Sequence, residues 1–386
     1  MPIGYFLPND GYGAGYGQNG YGKTGGVDNE GKSSQERLAA VAANVQNLAD
    51  FTKYANEKGV ATGLWTQSYL TPDSNPKTEW QLLRDFKNEV KVGGVSTLKT
   101  DVAWVGHGYS MQLDGVKTAY DIATTEGKVR PNIISLDGWA GSQRYCGIWT
   151  GDQYGGEWEY IRFHIPTYIG TSLSGNPNIG SDMDGIFGGN QLIATRDYQW
   201  KSFTPLMLNM DGWGTYAKMP YTFGDPYTGI NRMYLKTKAQ LLPYIYTGAA
   251  SAANIDTGNG DTGLPLIRAM FLEYPDDSYA SSKEMQYQYM LGSNLLVAPI
   301  YKSTAADDKG NDVRNNIYLP DSKEVWIDYF TGQQYQGGQV LNNFAAPLWK
   351  LPVFVKNGAI IPMWEENNTP EQIKNCLLYT SDAADE

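Results

Sequence analysis

The sequence predicts an α/β protein in which a barrel of alternating strands and helices is followed by a small β domain. Through the first half, apolar residues switch between the two-residue period of strands and the 3.6-residue period of helices, which indicates a parallel α/β sheet. No glycine-rich phosphate-binding fingerprint follows the first strands, which favours a barrel over a doubly wound sheet. After residue 253, short extended runs separated by Thr331-Gly332 and Gly337-Gly338 predict β structure.

The predicted elements follow from these periods and from the residues that end each run. Ser33 and Glu36 form a capping-box pattern that opens a helix, and Gly59 ends it. Further helices are predicted over 78–90, 116–124, 158–168 and 232–253. Strands are predicted over 5–8, 60–67, 95–105, 131–136, 146–150, 171–175, 316–319, 325–330 and 352–362. We predict the barrel over 1–299 and the β domain over 300–375.

Both ends of the chain depart from the pattern of its middle. If 5–8 is the third strand of a barrel, the first two strands and an upstream β domain are absent. The open barrel is then expected to fold poorly, because two strand edges and apolar interior are exposed. Residues 376–386 resemble a translated sequencing adaptor, so they do not enter the fold prediction. No signal-peptide pattern follows Met1.

Composition excludes several classes of function. The net charge of −11 disfavours nucleic acid and anionic membranes as partners. No apolar run approaches the roughly 18 residues of a membrane-spanning helix, so no membrane insertion is expected. Two histidines and two cysteines argue against a histidine-rich metal site and against a disulfide framework, and no cofactor is implied. Acid–base chemistry therefore falls to carboxylates.

Three aspartates stand in the regions where predicted strands run into the following loops. They are Asp101, Asp152 and Asp182, of which Asp101 lies within predicted strand 95–105 and the other two lie beyond strand ends; catalytic groups of a barrel sit where strands run into the following loops. Two carboxylates on either side of a glycosidic bond can act as nucleophile and general acid–base without histidine or metal. Any one such aspartate is more often a turn or cap residue, so spacing alone indicates only an α/β hydrolase of unknown substrate.

Longer motifs extend this prediction. They occur in order, with plausible gaps, as Arg130-Pro-Asn-Ile-Ile-Ser135, Gly141-Ser-Gln-Arg-Tyr145, Trp149-Thr-Gly-Asp-Gln153, Leu173-Ser-Gly-Asn-Pro177, Gly180-Ser-Asp-Met-Asp-Gly185, Leu241-Leu-Pro-Tyr-Ile-Tyr-Thr247, Met290-Leu-Gly-Ser-Asn-Leu-Leu-Val-Ala-Pro299 and Val353-Phe-Val-Lys-Asn-Gly-Ala-Ile-Ile-Pro362. Over residues 1–363 this set closely resembles glycoside hydrolase family 31.

The resemblance implies a fold and a mechanism. The fold would be a (β/α)8 TIM barrel, truncated here at its N-terminus, followed by a small β-sandwich. The mechanism would be retaining hydrolysis of an α-glycosidic bond, with Asp101 as nucleophile and Asp152 as acid/base. Asp182 matches a sugar-binding aspartate, and Asp10 falls where the family has another. Carboxylates of retaining enzymes lie about 5 Å apart, and their pKa values must differ.

Departures from the family pattern concern the sugar. Leu136 stands where many α-glucosidases of the family carry an arginine near the 2-hydroxyl, and Met210 where they carry a histidine. Loss of the arginine leaves room for a 2-acetamido group, unless neighbours such as Asp137 or Trp139 compensate. The segments Lys99-Thr-Asp-Val-Ala-Trp-Val-Gly106, Gly108-Tyr-Ser110, Asp137-Gly-Trp-Ala-Gly141 and Ser181-Asp-Met-Asp-Gly-Ile186 look like the α-N-acetylgalactosaminidase branch.

The expected activity is therefore release of α-linked N-acetylgalactosamine from glycans. The alternatives are an α-glucan transglycosylase or α-glucosidase of the same family and, from another class, a catalytically silent sugar-binding protein. The remaining predicted contacts of the sugar lie in these motifs or near the ends of predicted strands, although some of the tryptophans would equally fill the core. They are Trp65, Lys99, Trp104, Asp137, Trp139, Arg144 and Trp149. Analogy with relatives suggests an extracellular or cell-surface location.

Overall fold

The computed structural model describes residues 1–7, 33–66, 70, 85–100, 112–136, 138–211, 217–254, 263–304, 307 and 309–369. The chain divides into two compact units, of which the first contains Pro2–Trp149 and the second contains Thr150–Asn367. Within these described ranges, no helix is long and apolar enough to cross a bilayer.

The first unit alternates strands and helices as predicted. Its elements are β1 (Tyr5–Phe6), α1 (Ser34–Glu57), β2 (Ala61–Thr66), α2 (Phe86–Lys91), β3 (Thr97–Thr100), α3 (Gln112–Glu126), β4 (Asn132–Ser135), a 3₁₀ turn (Ser142–Arg144) and β5 (Gly147–Trp149). Strands β1 to β5 pair in parallel in chain order. The capping box is confirmed, because the Ser33 side chain accepts from the Glu36 backbone N–H at 3.3 Å while the Glu36 carboxylate accepts from the Ser33 N–H at 2.7 Å.

Strand alternation divides this sheet into two chemically different faces. The cluster that packs between the sheet and the helices includes Leu48, Leu64, Val90, Leu98, Val116 and Ile133. Since successive side chains point to opposite faces, Trp65 and Lys99, which stand opposite each other in register, lie on the face away from this cluster. The helical face is therefore apolar packing, and the other face carries polar and aromatic side chains.

The second unit begins with helices and ends with antiparallel strands. Its elements are α4 (Trp158–Leu173), β6 (Ile179–Gly180), α5 (Gln191–Lys201), α6 (Tyr227–Gln240), α7 (Leu242–Ala253), β7 (Ile267–Arg268), α8 (Met270–Glu273), a 3₁₀ turn (Lys283–Tyr287), β8 (Tyr289–Leu291), β9 (Leu295–Val297), β10 (Asp312–Arg314), β11 (Ile317–Leu319), β12 (Val325–Asp328), β13 (Gln334–Gln336), β14 (Gln339–Leu341), β15 (Phe344–Ala346) and β16 (Val353–Lys356).

Two predicted elements of this unit are wrong. Residues 171–175 are not a strand, because α4 continues to Leu173 and keeps its apolar face buried. The strand follows at Ile179–Gly180. The predicted helix 232–253 is two helices that meet at Leu241. Pro243 lies in the first turn of α7, where a backbone N–H would have no partner within the helix. In the middle of a single helix over 232–253, the same proline would remove a hydrogen bond and break the helix.

Antiparallel strands at the end of the chain form a sandwich. Six strands pair in the order β13-β12-β16-β9-β8-β7, and β10–β15 and β11–β14 form two ribbons. Met290, Leu296 and Phe354 of the sheet pack with Ile317 and Phe344 of the ribbons in one apolar cluster. Three of the six strands precede residue 300, so the sheet takes in chain from before the predicted start of the β domain. That boundary stays a prediction.

One long-range anchor joins α5 to the strands of the sandwich. The Arg196 side chain is buried and pairs with Asp312 at 2.7 Å. Its guanidinium also donates to the backbone carbonyls of Ala346 at 3.0 Å and Lys350 at 3.1 Å. A buried charge is stable only when it is paired and hydrogen-bonded in this way, so α5 depends on the sandwich for its arginine's partners.

Candidate active site

The loop that carries Asp152 follows β5 at the start of the second unit. Asp152 is exposed, and Gly151 before it has a φ of 88°, a conformation that favours glycine. The Thr150 N–H donates to the Gly180 carbonyl at 3.2 Å, and the Gln153 side-chain amide donates to the Thr150 carbonyl at 3.2 Å. The loop at Asp152 is therefore fixed by a backbone hydrogen bond before it and by a side-chain hydrogen bond after it.

The second aspartate loop follows β6. Asp182 is buried and forms a parallel bridge with Leu208. Its backbone carbonyl accepts from the Lys201 Nζ at 2.8 Å and from the Tyr160 hydroxyl. The segment is thus held by side chains of α4 and α5 just after strand β6, and not after the strand predicted over 171–175.

Asp184 ties the two loops together. One carboxylate oxygen accepts from the Gly156 N–H at 2.5 Å, and the other accepts from Gly189 at 2.9 Å and Asn190 at 3.2 Å. Burial raises the pKa of Asp184, and these three backbone donors act against that rise. The Gln153 carbonyl completes the tie by accepting from the Ile186 N–H at 3.0 Å. Hydrogen bonds therefore join the loop that carries Asp152 to the loop that carries Asp182.

A buried cluster of charged side chains on α5 contacts the loop that carries Asp182. Lys201 and Asp197, both fully buried, pair at 2.6 Å. The same carboxylate accepts from the Asp184 N–H at 2.9 Å and from the Trp200 indole N–H at 2.7 Å. Burial lowers the pKa of Lys201, and Asp197 opposes that effect. Lys218 reaches the loop as well, and donates to the carbonyls of Met183, at 3.2 Å, and Gly185.

The sequence analysis missed this cluster. Its one available signal is Asp184 within the Gly180–Gly185 motif, where only Asp182 received a role. Asp197 and Lys201, four residues apart, have the spacing of an ordinary surface pair.

His164 is buried beneath the Asp152 loop. Its ring nitrogens bond Thr150 Oγ1 at 3.1 Å and the Tyr160 carbonyl at 2.7 Å. Burial, with a smaller effect of Lys201, lowers the pKa of His164 from 6.5 to about 3. The imidazole is therefore neutral in the folded protein at neutral pH.

Acidification should destabilise the protein through this histidine. Unfolding lets His164 take up a proton below pH 6.5, whereas the folded state resists protonation down to pH about 3, so stability falls as pH falls between these values. From pH 7 to 5 we expect a loss of about 2 kcal/mol from this group. Denaturant titrations of the wild type and of His164→Gln measure it, with His107→Gln as the control for the other histidine. An unchanged pH slope in His164→Gln would contradict the prediction.

Three predicted sugar contacts of the first unit lie together. Lys99 Nζ is 3.6 Å from the centre of the Trp149 ring, and Trp65 stands opposite Lys99 in the sheet register. All three side chains are buried. They line the face of the sheet away from its helices, which suits either a substrate pocket or a core.

Two further predicted contacts lie nearer the surface of the first unit. Trp139 is 57% exposed. Arg144, in the 3₁₀ turn, donates to the Gly141 carbonyl at 3.4 Å, and its guanidinium lies 5.3 Å from the Tyr145 ring. The predicted residues Asp10, Asp101, Trp104 and Asp137 lie outside the described residues. Among the residues that the structure describes, no group of histidine, cysteine or acidic side chains could hold a metal ion.

Two family models match the chain. The glycosyl hydrolases family 31 TIM-barrel domain matches residues 40–248, and the glycosyl hydrolase family 31 C-terminal domain matches residues 263–361. The chain belongs to glycoside hydrolase family 31. The predicted fold class, a TIM barrel followed by a β domain, is thereby confirmed.

Two relatives of the chain carry α-glucosidase names. Alpha-glucosidase 2 of Bacillus thermoamyloliquefaciens is 32% identical over 63% of this chain and 28% of its own length. A probable glucan 1,3-alpha-glucosidase of Arabidopsis thaliana is 33% identical over 80% of this chain and 31% of its own length. The chain therefore spans less than a third of these two relatives. Their names do not include N-acetylgalactosaminidase, so the predicted branch is not shown.

Solved structures of sugar-binding proteins share the fold. An α-xylosidase from a soil metagenome, complexed with xylose, has a TM-score of 0.67 and 21% identity, and the match covers 81% of this chain and 55% of that one. The cycloalternan-forming enzyme of Listeria monocytogenes, in complex with a pentasaccharide substrate, has a TM-score of 0.66 and 22% identity, over 82% of this chain and 35% of that one. Each of these two proteins is complexed with a sugar.

Proposed function

We propose that this family 31 protein is a retaining α-glycosidase in which Asp101 is the nucleophile and Asp152 the acid/base. The observation that carries the proposal is Asp152 itself, an exposed carboxylate on a strand-end loop that is fixed by Thr150 and Gln153. An exposed, held carboxylate can give a proton to a leaving oxygen and later take one from water. Asp101 directly follows β3 in sequence and matches the family's nucleophile.

In the first step, the Asp101 carboxylate attacks the anomeric carbon while Asp152 protonates the departing oxygen. The glycosidic C–O bond breaks and a covalent glycosyl ester forms. In the second step, Asp152 takes a proton from water, the water attacks the anomeric carbon, and the Asp101 carboxylate leaves. Two inversions give net retention, so the first sugar released is the α anomer.

Two glycones are supported by different observations. The names of the relatives support glucose, with hydrolysis or transfer to another sugar as the outcome. Leu136 supports N-acetylgalactosamine, because loss of the family's arginine leaves room and removes a charge near the 2-position. Met210, in place of a histidine of the family pattern, adds support for a glycone other than glucose. The comparisons favour glucose, so an α-glucosidase or α-glucan transglycosylase is the first candidate, and α-N-acetylgalactosaminidase the second.

Release of p-nitrophenol from the α-glucose, α-N-acetylgalactosamine, α-galactose and α-xylose derivatives tests the proposal. We expect activity on one or both of the first two and none in Asp101→Asn, with the α anomer formed first by NMR. Longer oligosaccharides among the products of maltose would establish transfer. An active Asp101→Asn variant would overturn the assignment of the nucleophile, and a first-formed β anomer would overturn the retaining mechanism.

A further inference from the structure

We propose that Tyr154 and Phe187 form a stacking platform for the leaving-group sugar of the substrate. The inference rests on the proposed role of Asp152 and adds a binding site on the side of the leaving group. Tyr154 lies two residues after Asp152, and Phe187 lies five residues after Asp182, so the two aspartate loops contribute one ring each.

The two rings contact each other at the surface. Tyr154 is 83% exposed and Phe187 is 39% exposed. Their centroids are 5.2 Å apart with an interplanar angle of 34°. The Tyr154 ring is thus almost wholly open to solvent, although rings are among the side chains that gain most from burial. Together the rings offer an apolar surface to a ligand.

The backbone beneath the rings is closely packed. A Cβ added at Gly155 would lie 1.6 Å from the Asp184 carbonyl oxygen, and one added at Gly188 would lie 1.7 Å from the same atom. Both positions therefore exclude any side chain. The backbone next to each ring, at Gly155 and at Gly188, packs closely against the backbone of Asp184. The Gln153 carbonyl also accepts from the Phe187 N–H at 3.5 Å. Binding on a platform mounted in this way needs little ordering of the protein.

The position of Tyr154 along the loop suits a leaving group. Consecutive Cα atoms are 3.8 Å apart, so the Cα of Tyr154 is at most about 7 Å from that of Asp152. The oxygen that Asp152 protonates must lie within hydrogen-bond reach of its carboxyl group. The sugar on the far side of that oxygen therefore falls within the reach of a tyrosine side chain at position 154.

The chemistry of the platform favours a neutral pyranose. One face of a pyranose ring presents several C–H groups, which match the negative face of an aromatic ring. Asp152, Glu157 and Glu159 are exposed carboxylates on the same stretch of chain, and they disfavour an anionic ligand. The same surface would hold an acceptor sugar during transfer, because the acceptor enters where the leaving group departs.

Substrates that differ only in the leaving group test the platform. For Tyr154→Ala we expect about a tenfold lower kcat/KM on maltose or on an α-N-acetylgalactosaminyl disaccharide, and less than a twofold change on the corresponding α-glycosyl fluoride, which has no leaving-group sugar. Tyr154→Phe should retain wild-type values, since stacking needs the ring and not the hydroxyl. Tyr246→Ala replaces a tyrosine of α7 that is 59% exposed, and it is the matched control. It should change kcat/KM on neither substrate.

An equal loss on disaccharide and fluoride, or no loss on either, would overturn the platform. Binding gives a readout that does not depend on turnover. In Asp101→Asn protein, saturation-transfer NMR should detect both sugars of the disaccharide, and adding Tyr154→Ala should remove the signal of the reducing-end sugar alone. If that signal persists, the platform is wrong even where hydrolysis is confirmed. If the signal is lost but the wild type hydrolyses nothing, the platform holds and the proposed function fails.

Discussion

The Asp152→Asn variant is expected to lose about 10²–10⁴-fold in kcat/KM on an α-linked disaccharide and far less on the matching glycosyl fluoride. A sugar alkoxide leaves only when it is protonated, whereas fluoride leaves without that help. The loss arises because the amide of asparagine cannot supply the proton. Initial rates on the two substrates, measured for wild type and variant under the same conditions, give the ratio directly.

Azide distinguishes the two carboxylates by the product that it forms. In Asp152→Ala, azide attacks the covalent intermediate and displaces the Asp101 carboxylate, so an α-glycosyl azide should accumulate. In Asp101→Gly no intermediate forms, and azide attacks the glycosyl fluoride directly to give the β-azide. Equal losses of Asp152→Asn on disaccharide and fluoride would instead show that Asp152 positions the substrate and is not the acid.

The Lys201→Met variant is expected to lose about 3–5 kcal/mol of unfolding free energy. Lys201 and Asp197 are both fully buried, so removal of the ammonium leaves a carboxylate charge in the interior with no cation beside it. The Asp182 carbonyl loses its Lys201 donor in the same variant. Urea denaturation of the purified protein, followed by fluorescence and circular dichroism, measures the change.

Lys117→Met provides the matched control for this prediction. Lys117 and Asp121 are also four residues apart on a helix and form an ion pair, but about half of each side chain is exposed. Water already solvates both charges, so the unfolding midpoint should not move measurably. Similar midpoint shifts in the two variants would show that the buried pair has no special role in stability.

Local signals in the sequence predicted much of the fold. The capping box at Ser33 and Glu36 and the stop at Gly59 depend on neighbours within a few residues, and the structure reproduces them. The break at Leu241 was missed although Pro243 marks it, because the apolar pattern runs through both helices. Strand 171–175 was misplaced for a similar reason, since α4 keeps its buried face to Ser172.

The support beneath the site could not be predicted in the same way. The stretch of α5 from 193 to 201 is buried on every side, although it contains arginine, aspartate and lysine. Such a composition predicts a solvated helix, and only partners distant in sequence make its burial possible. Arg196, for example, pairs with Asp312, 116 residues later. Family motifs contain Asp152 and Asp182, whereas Asp197 and Lys201, which support them, lie outside every motif.

The Arg196 anchor has a consequence for the order in which the protein matures on the ribosome. Asp312 is synthesised 116 residues after Arg196, and Ala346 follows 150 residues after it. Translation adds roughly 5–20 residues per second, so about 8–30 s pass between the synthesis of Arg196 and the synthesis of its last partners. During that interval α5 cannot bury its arginine, so the helix stays exposed to chaperones and proteases. Completion of the last strands is then the event that closes this part of the molecule.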